Sequence, residues 1–171
     1  MRTLIVGGGC RGLDLARDLA REGHAVRIVT RTEAGRAAIE AAGAECWIGT
    51  PDVIGTLRYA LENVTIVLWL LGTAAGDPEK VAALHGSRLR MMLEKTTDTT
   101  VRGVIYEAAG TVPADVLDAG IAEMRHAQTT NEIPFALLHS DPRGDRAVWL
   151  AEAGAAVSAL LAGPRRVGAA Q

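Results

Sequence analysis

The feature that most constrains the fold is a series of six short, continuous apolar runs, separated by longer amphipathic stretches. The runs are rich in Val, Ile and Leu, and they do not alternate polar with apolar side chains. They cover residues 3–6, 25–29, 45–48, 65–71, 103–106 and 134–138. Strands buried on both faces have this composition, because helices cover both faces of a parallel sheet. The sequence therefore predicts a parallel sheet of about six strands.

Helical patterns fill the intervals between these runs. The predicted helices lie near residues 13–20, 33–42, from about 51 onward, 78–94, 114–126 and 146–161. Gly23 and Gly43 stand where the first two would end. Short connections and right-handed crossovers between alternating strands and helices predict a three-layer, doubly wound α/β sheet with strand order 3-2-1-4-5-6.

The length and composition indicate one domain. The chain has 171 residues, 49% of them hydrophobic, which is enough to bury a sizeable core. We expect a single domain over residues 1–162 and a small, polar tail over 163–171, with Pro164 ending the last helix.

Charge and cysteine usage narrow the class of protein. The net charge of −2 gives no electrostatic reason to expect nucleic acid or an anionic membrane as a partner. The two cysteines, Cys10 and Cys46, form no CxxC pair, and no His/Cys/Asp cluster has metal-ligand spacing. The N-terminus has no signal-peptide pattern, and the longest apolar run, 66–71, is too short to span a bilayer. We expect a cytoplasmic protein.

A glycine-rich loop, VGGGCRG, joins the first predicted strand to the first helix. Gly7, Gly9 and Gly12 satisfy Gly-x-Gly-x-x-Gly: the first permits the tight turn, the second lets a pyrophosphate approach, and the third lets helix and strand pack closely. The phosphates would lie at the helix N-terminus, which favours anions. Cys10 is a small residue at that terminus. The alternative is a tight turn without a ligand, and the motif does not require Gly8.

The end of the second strand bears on the choice of cofactor. NAD sites usually carry an acidic residue here, which binds the ribose 2′-hydroxyl. This chain instead has Thr30, Arg31 and Thr32, and a guanidinium can bind a 2′-phosphate bidentately. Arg11, in the glycine loop, could reach the same phosphate or stack on the adenine. These residues therefore favour NADP as the cofactor. NAD remains the alternative, because a small shift would place Glu33 on the ribose.

The sequence up to about residue 142 resembles atypical short-chain dehydrogenases/reductases and NmrA-like NAD(P)-binding proteins. The matching segments are the glycine loop and residues 30–32, 43–45, 67–72 and 104–110. The resemblance implies a Rossmann fold and a nicotinamide cofactor. It also implies a cofactor contact near adenine from Asp52, although the usual Gly-Asp reads Gly-Thr-Pro-Asp in this chain.

The catalytic residues of that family are missing from this sequence. Glu107, Ala108 and Ala109 stand where strand five usually delivers a serine, and there is no Tyr-x-x-x-Lys pair. The larger C-terminal substrate lobe of many relatives is also missing. The resemblance therefore predicts the fold and the nucleotide, and it does not predict Ser-Tyr-Lys chemistry.

Ligands of open α/β sheets lie beyond the carboxyl ends of the strands. After strand four, the small segment 72–76 would pass near the nicotinamide ribose, and Leu71, Gly72 and Thr73 are the predicted cofactor contacts. Glu107 and His139 end strands five and six and could form a general acid/base pair for carbonyl reduction. In the alternative interpretation, Glu107 pairs with an arginine and His139 is a hydrogen-bonded strand end.

Two functions from different classes remain after the sequence analysis. The first is an NADP-dependent oxidoreductase of a small carbonyl substrate, and the second is a non-catalytic NADP(H)-binding sensor or regulator. A third possibility is a protein that works only through a partner. By the family resemblance, a homodimer through the fourth and fifth predicted helices would complete the site. His85 and His126 fall on helices and are expected at the surface or at an interface.

Overall fold

Six parallel strands form a single sheet in the computed structural model, which describes residues 1–163. The strands are β1 (Arg2–Gly7), β2 (Ala25–Thr30), β3 (Glu45–Ile48), β4 (Ile66–Leu70), β5 (Gly103–Glu107) and β6 (Phe135–Leu138). Their order is β3-β2-β1-β4-β5-β6, and every neighbouring pair is parallel. The predicted doubly wound order is therefore confirmed. The predicted tail, apart from Gly163, lies outside the described residues.

Six α-helices pack on the two faces of the sheet; five lie between strands, and the sixth follows β6. They are α1 (Gly9–Arg21), α2 (Arg36–Ala41), α3 (Pro78–His85), α4 (Ser87–Thr96), α5 (Ala114–Asn131) and α6 (Arg146–Ala162). The carboxylate of Asp77 accepts hydrogen bonds from two backbone N–H groups of α3, and that of Asp145 accepts one from Val148 in α6. These side chains satisfy donors that a helix leaves unpaired at its N-terminus, which fixes where each helix begins.

The sheet divides the hydrophobic core into two halves, and this explains the unbroken apolar runs. In β1, Leu4 and Val6 pack with α4 and α5, while Ile5 packs on the other face with α1, α2 and α6. In β4, Trp69 faces the first half and Leu68 the second. Because both faces are covered, both sets of side chains must be apolar.

Two predicted helices differ from the observed structure. The helix expected from residue 51 is instead a pair of 3-10 turns, Ile54–Leu57 and Tyr59–Leu61. There the Thr56 hydroxyl donates to backbone carbonyls of the same segment and so competes with helical hydrogen bonding. The helix expected over 78–94 is broken at Gly86, whose backbone (φ −118°, ψ −103°) is not helical, and it becomes α3 and α4.

Within residues 1–163, no helix combines the length and the apolar character needed to cross a membrane. In the same range, no group of three or more His, Cys, Asp or Glu side chains is arranged to hold a metal ion.

Candidate functional site

The glycine loop turns sharply from β1 into α1, and the middle glycine has a structural role that the sequence pattern did not indicate. Gly8 has a left-handed backbone (φ +83°), its N–H donates to the Leu70 carbonyl at 2.8 Å, and its carbonyl accepts from the Gly12 N–H at 2.9 Å. A side chain on Gly8 would lie 3.0 Å from the Gly12 Cα. Three consecutive glycines are therefore needed to bring strand and helix this close.

Gly9 stands at the open side of this loop. Its backbone is left-handed (φ +49°), and apart from its chain neighbours and the backbone of α1, no atom of the described residues lies within 4 Å of the position that a Cβ would occupy. The residue begins α1, whose first turn carries no acidic side chain. N–H groups in the first turn of a helix lack carbonyl partners within the helix, and the helix dipole favours an anion there. The loop therefore presents free space in front of an anion-binding helix terminus.

A cavity of about 440 Å³ extends from this loop toward the end of β2 and the start of α2. Six of the predicted cofactor residues line it: Gly7, Gly9, Cys10, Thr30, Arg31 and Leu71. Gly49 and Pro51, from the Gly-Thr-Pro-Asp segment, also contribute to its walls, as do Gly35 and Ala38. No motif marks Gly35 or Ala38, since their side chains are small and carry no chemical signal.

A second cavity of about 410 Å³ adjoins the first and shares Gly7, Arg31, Pro51 and Leu71 with it. It continues toward the segment after β4 and the start of α3. The predicted residue Asp52 and residues 73–76 of the predicted segment line this part, together with Asp77 and Lys80, which were not predicted. The two cavities form one groove over the carboxyl end of β1, where ligands of open α/β sheets bind.

Arg31 is the charged side chain that lines both cavities, and it is exposed. Among residues 1–163, no acidic side chain forms an ion pair with Arg31. The acidic residue nearest to it in the sequence, Glu33, is bound to Arg36. Both carboxylate oxygens of Glu33 accept hydrogen bonds from Arg36, at 2.6 and 2.9 Å, and this interaction holds the pKa of Glu33 below its usual range. Glu33 lines neither cavity.

Four predicted cofactor residues, Arg11, Gly12, Thr32 and Gly72, do not line the groove. Gly12 supports the loop from behind, with its Cβ position 3.0 Å from the Gly7 carbonyl oxygen. Arg11 extends toward α6 instead of Arg31: its guanidinium donates to the Gly144 carbonyl at 2.7 Å and lies 6.0 Å from the centre of the Trp149 ring. The structure therefore does not bring Arg11 and Arg31 together on one phosphate.

Glu107 lies inside the protein, with only 1% of its surface exposed. One carboxylate oxygen accepts from the Gly72 backbone N–H at 2.8 Å, and the other accepts from the Trp149 indole N–H at 3.1 Å. Burial raises the pKa of Glu107 to about 7, although these two hydrogen bonds and the nearby Arg11 act in the opposite direction. Glu107 is thus held by two N–H groups, and no arginine within residues 1–163 donates a hydrogen bond to it.

His139 is exposed at the end of β6. Its backbone N–H and that of Ser140 each donate to a carboxylate oxygen of Glu152 at 2.8 Å, which ties the end of β6 to α6. Among the described residues, no hydrogen bond joins Glu107 to His139, and neither side chain lines the groove. The expected acid/base pair is therefore not assembled in this structure.

The prediction for His85 was wrong, because the residue is fully buried. Its Nε2 lies 3.1 Å from the Leu71 carbonyl oxygen, and its Nδ1 lies 2.6 Å from the Tyr106 hydroxyl. Burial lowers the pKa of His85 and favours the neutral ring, so Nε2 donates to Leu71 and Nδ1 accepts from Tyr106. Gly120 of α5 leaves the space that the tyrosine hydroxyl occupies. This network supports Leu71, which lines both cavities.

Comparisons with known proteins identify the fold. No protein-family model matches the chain, and no curated protein matches its sequence. Similar solved structures include UDP-glucose 4-epimerase from Thermotoga maritima with UDP-glucose (14% identity, TM-score 0.66) and UDP-glucuronic acid 4-epimerase from Bacillus cereus with NAD (14%, 0.68). A short-chain dehydrogenase/reductase superfamily protein from Agrobacterium tumefaciens with bound NAD is also similar (17%, 0.66).

These alignments cover 80%, 82% and 80% of this chain and 54%, 56% and 48% of the three proteins, in the order given. The chain thus spans about half the length of the proteins that it resembles. At these identities the similarity shows the fold alone, which is an α/β Rossmann-like sheet with strand order β3-β2-β1-β4-β5-β6.

Proposed function

We propose that this protein binds NADP(H) in the groove over the carboxyl end of β1. The observation that carries the proposal is Arg31, an unpaired guanidinium in the wall of both cavities, next to a glutamate already bound by Arg36. A 2′-phosphate would supply the anion that Arg31 lacks, and the hydroxyl of Thr30 lies in the same wall. An NAD site would instead need a free carboxylate here.

The remaining residues of the groove fit the rest of such a nucleotide. The open space at Gly9 would take the pyrophosphate, and Cys10 would lie beneath it at the helix terminus. In the second cavity, Asp52 would lie near the adenine and Thr73 near the nicotinamide ribose. Leu71 lines both cavities and would contact the nucleotide between these two parts. That two of the similar solved structures contain NAD supports a nicotinamide nucleotide as the ligand.

Isothermal titration calorimetry with NADPH and NADH tests this proposal directly. We expect binding of both nucleotides at one site, with the tighter affinity for NADPH. The absence of binding by either nucleotide would overturn the proposal, and equal affinities would remove Arg31 from the phosphate site.

As the first candidate activity, we propose the NADP-dependent reduction of a small carbonyl compound. The bound nicotinamide would supply the hydride, and His139, exposed at the end of β6, is the group we assign to protonate the carbonyl oxygen. The test is NADPH oxidation with aldehydes, ketones and enones. Turnover that falls in His139→Gln, and not in the exposed His126→Gln, would support the assignment.

The second candidate is a sensor or regulator that binds NADP(H) without turnover. It is favoured by Glu107, whose two carboxylate oxygens are both occupied by N–H groups inside the protein. Binding of NADPH without oxidation by any of these carbonyl compounds would select the sensor over the reductase.

We also propose that the protein forms a homodimer through α4 and α5. Exposed Met91 lies on α4, and an ion pair between Arg90 and Glu123 already joins the two helices at their surface. Sedimentation equilibrium tests this: a dimer that dissociates in Met91→Glu supports the interface, and a monomer at all concentrations overturns it.

A further inference from the structure

A group of four residues, three of them buried and one half-buried, connects the glycine loop to the segment after β4. We call it the Glu107 cluster; its members are Arg11, Gly72, Glu107 and Trp149. We propose that Glu107 is a positioning residue, which holds Gly72 and the first turn of α1 in the geometry that binds the nucleotide. This inference rests on the proposed NADP(H) site and gives Glu107 a role different from acid/base catalysis.

The contacts of Glu107 join three parts of the protein. Glu107 ends β5, and its carboxylate accepts from Gly72, in the segment after β4, and from Trp149, in α6. Both oxygens are occupied, and the side chain is 1% exposed, so no substrate atom can reach it in this structure. A buried carboxylate with two N–H partners is costly to disturb, since losing either partner leaves a buried polar group unsatisfied.

Arg11 brings the glycine loop into the same cluster. It lies in the first turn of α1, its guanidinium stacks near the Trp149 ring, and it donates to the Gly144 carbonyl ahead of α6. Its other terminal nitrogen, Nη1, is buried and has no hydrogen-bond partner among the described residues. The positive charge of Arg11 therefore remains available to balance the carboxylate of Glu107.

The link to the binding site runs through the neighbours of Gly72. Leu71 precedes it and lines both cavities, and Thr73 follows it and lines the second. The Gly72 carbonyl accepts a hydrogen bond from Val112 at 3.0 Å, so the segment is held on its other side as well. If Glu107 releases the Gly72 N–H, the walls formed by Leu71 and Thr73 lose that support.

Two variants separate positioning from general stability. Trp149→Phe removes the indole N–H donor to Glu107 and keeps a ring in the core. The matched control is Trp47→Phe, which removes a half-buried indole N–H whose partner is the Thr56 carbonyl, and neither residue lines the groove. We expect Trp149→Phe to weaken NADPH binding about fivefold or more and Trp47→Phe to change it less than twofold. Equal losses in the two variants would overturn the proposal.

The pH dependence of NADPH affinity gives a readout that a merely structural role would not produce. The ionisable groups close to Glu107 are Arg11, Asp141 and Tyr106. Arg143 holds the pKa of Asp141 at about 2, burial raises that of Tyr106, and arginine stays charged, so only Glu107 among the four titrates near neutral pH.

The ionised carboxylate accepts the Gly72 N–H more strongly than the neutral acid does. The affinity of the wild type, divided by that of Glu107→Gln, should therefore rise as the pH increases through about 7. Both proteins are titrated with the same nucleotide, so ionisation of its phosphate changes both affinities equally and does not affect their ratio. In parallel, the amide resonance of Gly72 should titrate in the wild type without nucleotide and stay fixed in Glu107→Gln.

The outcomes distinguish the two proposals. If the wild type binds no NADPH, the proposed function fails, and the positioning role for nucleotide fails with it. If the wild type binds NADPH and the affinity ratio is flat with pH, or the Gly72 resonance does not titrate, the positioning role alone is overturned.

Discussion

Replacing Arg31 by alanine should remove most of the preference for NADPH over NADH. Arg31 is the unpaired cation of the groove, and NADH lacks the 2′-phosphate that we assign to it. NADPH binding should therefore weaken, because one charge-assisted contact is lost. The affinity for NADH should stay within about twofold of the wild-type value.

The structure sets the size of this effect. A hydrogen bond to a charged group contributes about 1.5–3 kcal/mol, and the exposed position of Arg31 places it at the lower end because water and salt screen the interaction. A loss of about 1.5–2 kcal/mol corresponds to roughly 10- to 30-fold weaker NADPH binding. The difference between variant and wild type should narrow at high salt, since screening weakens exposed charge interactions.

The assay is calorimetry of both nucleotides with wild type, Arg31→Ala and Arg58→Ala. Arg58 is a matched control, because it is an exposed arginine outside the groove, stacked on Tyr59. Arg58→Ala should leave both affinities unchanged. If the ratio of NADPH affinity to NADH affinity in Arg31→Ala equals that of the wild type, including the case in which both affinities fall equally, the assignment of the 2′-phosphate to Arg31 is refuted.

Three further predictions concern the loop, the buried carboxyl and a helix contact. Gly9→Val places a β-branched side chain on a left-handed backbone, a strain of about 1–2 kcal/mol, and fills the open space. Its circular dichroism should stay native while calorimetry detects no NADPH binding. Because folding raises the pKa of Glu107 from 4.5 to about 7, the folded state retains a proton that the unfolded state releases between these values. The free energy of unfolding should thus fall by about 3 kcal/mol as the pH rises through this window, and urea titrations of Glu107→Gln should lack that slope. Gly120→Ala should cost about 1–3 kcal/mol by overlap with the Tyr106 hydroxyl, and Tyr106→Phe in the same chain should recover part of the loss in thermal unfolding.

The strand order and most strand limits could be predicted from the sequence, because most strands are short runs rich in Val, Ile and Leu, although β2 carries the buried Arg27 at its centre. The run at 45–48 coincides with β3, and the run at 134–138 is one residue longer than β6. The presence of the glycine loop was equally predictable from its local spacing, whereas the role of Gly8 depends on its contact with Leu70 of β4.

The polar contacts within the core could not be predicted in this way. Glu107 meets Trp149, 42 residues away, and His85 meets Tyr106 from a helix that the apolar periodicity merges with the next one. Helical periodicity places His85 on a helix, but it does not show whether that side of the helix packs against the rest of the protein or faces solvent. The direction of Arg11 is likewise set by Trp149 and Gly144, which only the tertiary fold brings beside it.

The contact between Gly72 and Gly110 has a consequence for movement at the carboxyl edge of the sheet. The segments after β4 and β5 cross so closely that a side chain on either glycine would collide with the backbone of the other segment. Because each added Cβ would overlap a backbone oxygen of the other segment, neither segment can shift toward the other at this point. A movement of the segment after β4, which contributes Leu71 and Thr73 to the groove, would therefore carry the segment after β5 with it.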